Sequence, residues 1–267
     1  MEFNINIKVR GERFHYSVYN MELGRLLFFI FVPILWVNGE IPSYIKVCPR
    51  THQNLSACII DSIAHLRPKL EKGIPELDVP AMEPLLLEDI IIDSLGGGSR
   101  LATNITKVRV YGASKFQILK LVPTLTKKGN TFRFQVNIPR LRIEAHYELD
   151  SRILFLDLKG KGPFYANITN YWFDCTMKGN IVERDNKNYL RFEDMKLNVV
   201  IGDVSILLDK LFEGNPTLSK ATNDVINDNA QILFDEIKPN LLKSLERVFN
   251  DMANKITLTF EYEELFP

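Results

Sequence analysis

The stretch "TFRFQVNIPRLRIEAHYEL", Thr131 to Leu149, holds the clearest alternation of apolar and polar residues in the chain. Phe132, Phe134, Val136 and Ile138 share one face; after Pro139 that face passes to Leu141, Ile143, Ala145, Tyr147 and Leu149. Side chains on a strand return to the same side every second residue, so only an extended strand gathers such a set. A one-residue phase change at a proline is what a bulge produces, bending the strand while its apolar face stays inward. The polar residues between them need a wet face, which favours an antiparallel sheet over a parallel one buried on both sides. A long, bent, one-sided sheet is therefore the frame into which the rest must fit.

Other segments extend that sheet. "TNITKVRVYGASKFQILKLV", Thr103 to Val122, reads as strand on either side of a break at Gly112. Leu154, Leu156 and Leu158 start a further strand, "KGKGP" predicts a turn, and Phe164 to Lys178 and Asn188 to Val200 predict two more. Helical spacing appears twice. From Ser56, the residues Ile59, Ile60, Ile63, Leu66 and Leu70 recur at three- and four-residue steps, with Pro68 and Gly73 marking the end. From Pro216, capped by Asn215, a second apolar series runs through Val225, Ile226, Leu233, Leu241, Leu245 and Phe249 to about Ala253. One helix of this length measures about 55 Å, with a kink expected at Pro239. A helix so long beside a bent sheet predicts an α+β fold in which the sheet wraps the helix.

Between the first helix and the sheet lies "GIPELDVPAMEPLLLEDI", Gly73 to Ile90. Pro75, Pro80 and Pro84 favour extended backbone and remove N–H groups that would otherwise need partners. The segment is expected to lie across one end of the wrap, either as an apolar plug or wall with Ile74, Leu77, Val79 and Leu85 turned inward or as a covering strap with no ligand contact.

The compartment is read from the N-terminus and the cysteines. Leu26 to Val37, "LLFFIFVPILWV", is too short to span a bilayer, which takes about 20 residues in a helix, but suits the apolar core of a secretory leader. Val37 and Gly39 supply small residues before a cut, so residues 1–39 are read as an upstream extension plus leader and 40–267 as a single domain with no stable membrane anchor. Thiols tend to pair in that compartment, and a Cys48–Cys58 disulfide would close a short loop ahead of the first helix. Cys175 is left over, as a buried free thiol in a strand or, alternatively, as a partner in an intermolecular pair. Three sequons, at Asn54, Asn104 and Asn167, are candidate glycosylation sites in the same setting, with Asn54, inside the small cysteine loop, the first choice for a glycan.

Several functions are excluded or disfavoured. Formal net charge is zero and no Lys/Arg block occurs, so no nucleic acid partner is expected. His52, His65 and His146 are scattered without metal-ligand spacing, so neither a metal nor a cofactor is expected. "GGGSR" lacks the second glycine of a nucleophile elbow and the Gly-Lys of a phosphate loop, so no catalytic residue is assigned. A secreted lipid esterase is the enzyme alternative, and a lipid-transfer or protein-interaction module is the other.

Three stretches carry a family resemblance: "CPRTHQNLSACIIDSIAHLRPKLEKGIPELDVPAMEPLLLEDI", "FQVNIPRLRIEAHYELDSRILFLDLKGKG" and "LLDKLFEGNPTLSKATNDVINDNAQILFDEIKPNLLKSL". In this order they resemble the N-terminal signature, central strands and C-terminal helix of the takeout/juvenile hormone-binding protein family of insects. The resemblance implies a TULIP-like α/β-wrap: a long helix inside a curved antiparallel sheet, with an internal hydrophobic tunnel. It also implies a secreted carrier of a small hydrophobic ligand, working in haemolymph or chemosensory fluid. The single N-terminal cysteine pair is similar to the takeout branch, since hormone carriers usually bear a second disulfide for which Cys175 has no partner.

Such a carrier would act by burial, at about 25 cal/mol per Å² of apolar surface, with one or two polar groups fixing orientation. The expected ligand is a juvenile hormone-like terpenoid, a fatty acid or other lipid, or an odorant, held by a monomer. Candidate wall residues are Phe132, Phe134, Val136, Ile138, Ile143 and Tyr147 of the sheet, Val225, Leu233 and Phe249 of the helix, and Leu77 of the proline-rich segment. The Tyr147 hydroxyl could meet a polar ligand head or bond to backbone.

Overall fold

The structure, a computed structural model, describes residues 3–9, 12–18, 41–96, 99–126, 129–153, 156–212 and 215–267. The leader read over 26–37 lies outside the described residues. Residues Met1–Gly39 form one unit, in which β1 (Phe3–Val9) and β2 (Glu12–Val18) pair as an antiparallel hairpin.

The second unit, Glu40–Pro267, carries everything else. It opens with α1 (Leu55–Lys72), followed by β3 (Leu85–Leu86), β4 (Ile90–Gly96), β5 (Ser99–Tyr111), β6 (Gln117–Thr126), β7 (Gly129–Ile153) and β8 (Leu156–Arg184). Then come β9 (Lys187–Val200), β10 (Val204–Leu208), α2 (Pro216–Asp228), α3 (Ala230–Thr257) and the short α4 (Tyr262–Leu265). β3 to β10 make one open sheet in which every pairing is antiparallel. The α+β class expected from the period changes is the one observed.

β7 and β8, of 25 and 29 residues, are the spine of this sheet and stay paired from Asn130 opposite Gly179 to Ile153 opposite Leu156. Their outer neighbours change halfway. β7 pairs with β6 over Gly129 to Asn137 and with β5 over Arg142 to Arg152. β8 pairs with β10 over Phe164 to Ile168 and with β9 over Trp172 to Arg184. The sheet is thus two wings, β6–β7–β8–β9 and β5–β7–β8–β10, sharing a spine.

A crease separates the wings, and it explains the phase change at Pro139. Buried residues of β7 switch from Phe132, Val136 and Ile138 to Leu141, Ala145 and Tyr147, as the alternation required. β8 switches at the same level, from Ala166 and Ile168 to Tyr171, Cys175 and Met177. The register does not slip, since Ile138 faces Tyr171 and Arg140 faces Thr169. The expected bulge in one strand is therefore an irregularity shared by two. Asn170, opposite Pro139, takes φ 50°, the left-handed region that asparagine tolerates better than most residues.

The crease continues to both sides through close backbone approaches. A Cβ on Gly112, at φ +91°, would stand 2.4 Å from the Arg140 carbonyl oxygen, and one on Gly202 would stand 2.7 Å from that of Thr169. Glu83 clamps the Gly112 corner: its carboxylate accepts from the Gly112 N–H at 2.9 Å and the Ser114 N–H at 2.9 Å. A residue of the proline-rich segment thereby fixes the bend of the sheet.

"KGKGP" is not a turn. Lys159 to Pro163 lie inside β8, still in register with β7. Its glycines are there because other backbone comes close: a Cβ on Gly160 would sit 3.0 Å from the Leu211 carbonyl oxygen, and one on Gly162 would sit 2.4 Å from that of Asp209.

α1 begins at Leu55, one residue before the expected start; Asn54, not read as a cap from sequence, caps the Ala57 N–H at 3.0 Å, and the helix runs through Pro68 to Gly73. Asn215 caps the Leu218 N–H at 3.0 Å ahead of Pro216. The single C-terminal helix expected over 216–253 is two helices, parted at Asn229; α3 is continuous through Pro239 and extends to Thr257. Each is fastened to a different strand edge. Asn223 and Asn227 of α2 bond to Leu208 and Ile206 of β10, whereas Glu246 and Asn254 of α3 bond to Leu197 and Phe192 of β9. Cys48 and Cys58 form a disulfide with S–S 2.09 Å, and Cys175 is a buried free thiol. No helix among the described residues is long and apolar enough to cross a membrane.

Candidate functional site

Among the described residues, two apolar cavities lie under the sheet, one in each wing. The first, of about 170 Å³, is bounded by Ile143 and Tyr147 of β7, Ala166 and Ile168 of β8, and Ile206 and Leu208 of β10. Leu87 and Ile90 close it from the proline-rich segment, Ile226 from α2, and Leu233, Ile237 and Leu241 from α3. The second, of about 220 Å³, is bounded by Phe134, Val136 and Ile138 of β7, Phe173, Cys175 and Met177 of β8, and Phe249 and Ala253 of α3. Ile63 of α1 and Met82 of the proline-rich segment complete it. The two linings share no residue. α3 serves both, and Leu233 and Ala253 stand about 30 Å apart at 1.5 Å per residue.

The arrangement follows from the crease. Reversal of face in β7 and β8 keeps both wings apolar toward the helices, so each half of the spine supplies its own wall. Phe173 stacks on Phe249 at 6.4 Å and meets Tyr171 edge-on at 6.0 Å, which fills the space beside the crease.

The wall residues expected from sequence divide into three groups. Phe134, Val136, Ile138 and Phe249 lie around the second cavity, and Ile143, Tyr147 and Leu233 around the first. Phe132, Val225 and Leu77 line neither. Phe132 packs edge-on against Phe192 at 5.7 Å and near Phe266 at 6.3 Å, as part of the core that closes the second wing. Val225 is half-buried on α2, one residue from the lining Ile226, because the helix is turned so that 226 rather than 225 faces inward. Leu77 is buried in a short 3₁₀ turn, Pro75–Leu77, alongside Ile74 and Val79.

Sequence reasoning missed Ala166, Ile168, Leu87, Ile90, Met82 and Cys175 as lining residues. The first two were visible in the alternation of β8. Cys175 lies on the same strand, in alternation with Phe173 and Met177; Leu87, Ile90 and Met82 carry no local signal, because a wall built from an irregular segment has no period.

Polar groups in these walls are few and occupied. The Tyr147 hydroxyl donates to the Asp209 carbonyl oxygen at 2.8 Å, so it holds the β10 end rather than offering itself to a ligand. Burial, with the Asp209 charge adding, pushes it up to about 12. Thr103, in the first wall, shares a hydrogen bond with Ser151 at 3.2 Å. Cys175, in the second wall, is pushed up to about 12 by burial and by Glu246, which keeps it a neutral thiol at ordinary pH. Among the described residues, no charged side chain lines either cavity, and no cluster of His, Cys, Asp and Glu could hold a metal.

A curved antiparallel sheet with C-terminal helices is a fold shared with known insect proteins. The sequence profile of the haemolymph juvenile hormone binding protein (JHBP) family matches residues 26–267, and the chain belongs to that family. The solved structure of Takeout 1 from Epiphyas postvittana matches with a TM-score of 0.71 at 19% identity, over 83% of this chain and 99% of that one, a likeness of fold. The circadian clock-controlled protein daywake of Drosophila melanogaster is 23% identical over 256 residues, 91% of this chain and 97% of its own length. A Schistocerca gregaria protein named "Putative beta-carotene-binding protein" is 26% identical over 209 residues, 77% of this chain and 81% of its own.

Proposed function

We propose that this chain is a secreted carrier that holds a small hydrophobic molecule along α3, in the two cavities under the sheet. The carrying observation is chemical: apart from Thr103, Tyr147 and Cys175, both walls are built from aliphatic, methionine and phenylalanine side chains. Each transferred CH₂ gains about 0.8 kcal/mol from such a wall, and nothing in it stabilises a transition state. The locust relative, whose name assigns it beta-carotene, supports the same reading.

The walls also narrow the ligand. An ionised carboxylate inside either cavity would have no charged partner, and such burial is strongly unfavourable. A neutral terpenoid, long-chain ester or hydrocarbon fits better than a fatty acid whose head is buried. The leader read at 26–37 and the Cys48–Cys58 disulfide support an extracellular setting.

Native mass spectrometry of the chain recovered from the medium of insect cells tests this, followed by denaturing extraction of whatever is bound. A stoichiometric neutral hydrophobic compound is the expected result. A chain that emerges empty, and that fails to take up retinyl esters, long-chain hydrocarbons or juvenile hormone analogues, would overturn the reading. Movement of lipid between vesicles would instead assign a transfer role.

A further inference from the structure

Two of the three sequons stand where the outer face of the sheet shows carbon to water. Asn104 projects outward from β5, and its cross-strand partner on β4 is Ile91, 67% exposed. Asn167 projects outward from β8. Two residues before it on the same face is Tyr165, 40% exposed, paired across to Leu207 of β10, 48% exposed. Directly paired side chains on one face have Cβ atoms about 5 Å apart, and diagonal ones about 7 Å. A sugar attached to either asparagine amide starts within its own width of these apolar groups.

The surroundings suit a sugar. Beside Asn104 runs an open groove of about 620 Å³, lined by Ile91 and by the charged side chains Glu148, Asp150, Lys159 and Lys161. A pyranose has an apolar C–H face and a hydroxylated rim, so it can lie on Ile91 while its hydroxyls meet those charges. At Asn167 the ring of Tyr165 offers an aromatic face to the same C–H surface. Asn54 differs, because its Oδ1 is already engaged in capping α1.

We propose that Asn104 and Asn167 carry N-linked oligosaccharides whose first sugars lie over Ile91 and over the Tyr165–Leu207 pair. The glycans shield these patches of the outer face from self-association. In the attachment step the Asn Nδ2 loses one proton and forms a bond to the anomeric carbon of a lipid-pyrophosphate-linked oligosaccharide. The bond from that carbon to the pyrophosphate oxygen breaks, and its electron pair leaves with the pyrophosphate. This proposal rests on the secreted reading above.

The test is glycopeptide mapping of the full chain secreted by insect cells, with sedimentation velocity on the wild type, Asn104→Gln, Asn167→Gln and Asn167→Gln/Tyr165→Ser/Leu207→Ser. Expected are a glycan at both sites, self-association of each single variant, and return to the wild-type sedimentation profile in the triple variant. A secreted, ligand-loaded chain with no sugar at either site, or with sugar at Asn54 alone, overturns this proposal and leaves the carrier reading standing. Glycans at both sites with sedimentation unmoved by their removal would overturn the shielding role. A chain retained in cells without any sugar overturns both the proposal and the secreted reading.

Discussion

Asn223 of α2 and Leu208 of β10 exchange two hydrogen bonds, Leu208 N–H to Asn223 Oδ1 at 2.8 Å and Asn223 Nδ2 to the Leu208 carbonyl at 3.1 Å. The side-chain amide thus does what a neighbouring strand would do. Asn227 repeats the pattern one turn later on Ile206, at 2.7 and 2.8 Å. The free edge of β10 is thereby finished by a helix, which removes the exposed N–H and C=O groups that invite edge-to-edge pairing.

Asn223 is buried, so Asn223→Ala leaves a desolvated N–H and C=O on Leu208 without partners. The expected cost is about 1–3 kcal/mol, read as a lowered urea midpoint at unchanged slope. Asn227→Ala, nearer to solvent, should cost less. Equal stability of wild type and Asn223→Ala would show that the pairing contributes nothing.

Gly112→Ala should be among the most damaging single-atom additions to this chain. The new Cβ would meet the Arg140 carbonyl oxygen at 2.4 Å from a backbone at φ +91°. Left-handed backbone and overpacking each cost about 1–3 kcal/mol, so a loss of about 2 kcal/mol or more is expected in chemical denaturation. A neutral result would mean that the crease is not fixed at this corner.

Alkaline stability reports the burial of Cys175. An ordinary thiol titrates near about 8.5, whereas this one is pushed up to about 12. Between those values the native state keeps a proton that the unfolded chain gives up. Its contribution is therefore complete below the ordinary thiol range and is lost as pH rises toward 12. Burial raises the Tyr147 and Tyr171 hydroxyls in the same direction, adding to the slope above pH 10. Tm measured from pH 8 to 11 should fall, and Cys175→Ala should flatten the part between 9 and 10. Identical slopes would place the thiol in contact with water.

Cavity-filling variants distinguish one long ligand from two short ones. Ala166→Phe intrudes on the first cavity and Ala253→Phe on the second. Titration with a fluorescent polyene probe should show at least a tenfold weakening. If each substitution alone abolishes binding, one ligand spans both wings; if each removes one of two binding equivalents, two short ligands are held; if only one substitution has an effect, a single cavity is used. Unchanged affinity in both variants would place the ligand elsewhere.

How much was legible depends on how local the cause is. The faces of β7 and the phase change at Pro139 were readable because a period of two survives in a single strand. That β8 changes phase at the same level was not, since it is a relation between Pro139 and Asn170 across the sheet. Gly160 and Gly162 read as a turn because glycine has two uses, and what decides between them is the backbone of Asp209 and Leu211, some fifty residues further on. The break at Asn229 was hidden for a similar reason. The apolar spacing runs on through it, while α2 and α3 are fastened to different strands.

The amino-acid sequence by itself determined the α+β class, the presence of α1, the capped start of α2, the one-sided sheet, and its family, because these follow from periodicity and from short quoted stretches. Tertiary structure alone decided that the sheet has two wings, that each encloses its own cavity, and which inward residues face space rather than packed neighbours. Alternation tells which side of a strand is dry. Whether that dry side meets another side chain or an opening depends on what the rest of the chain brings opposite it.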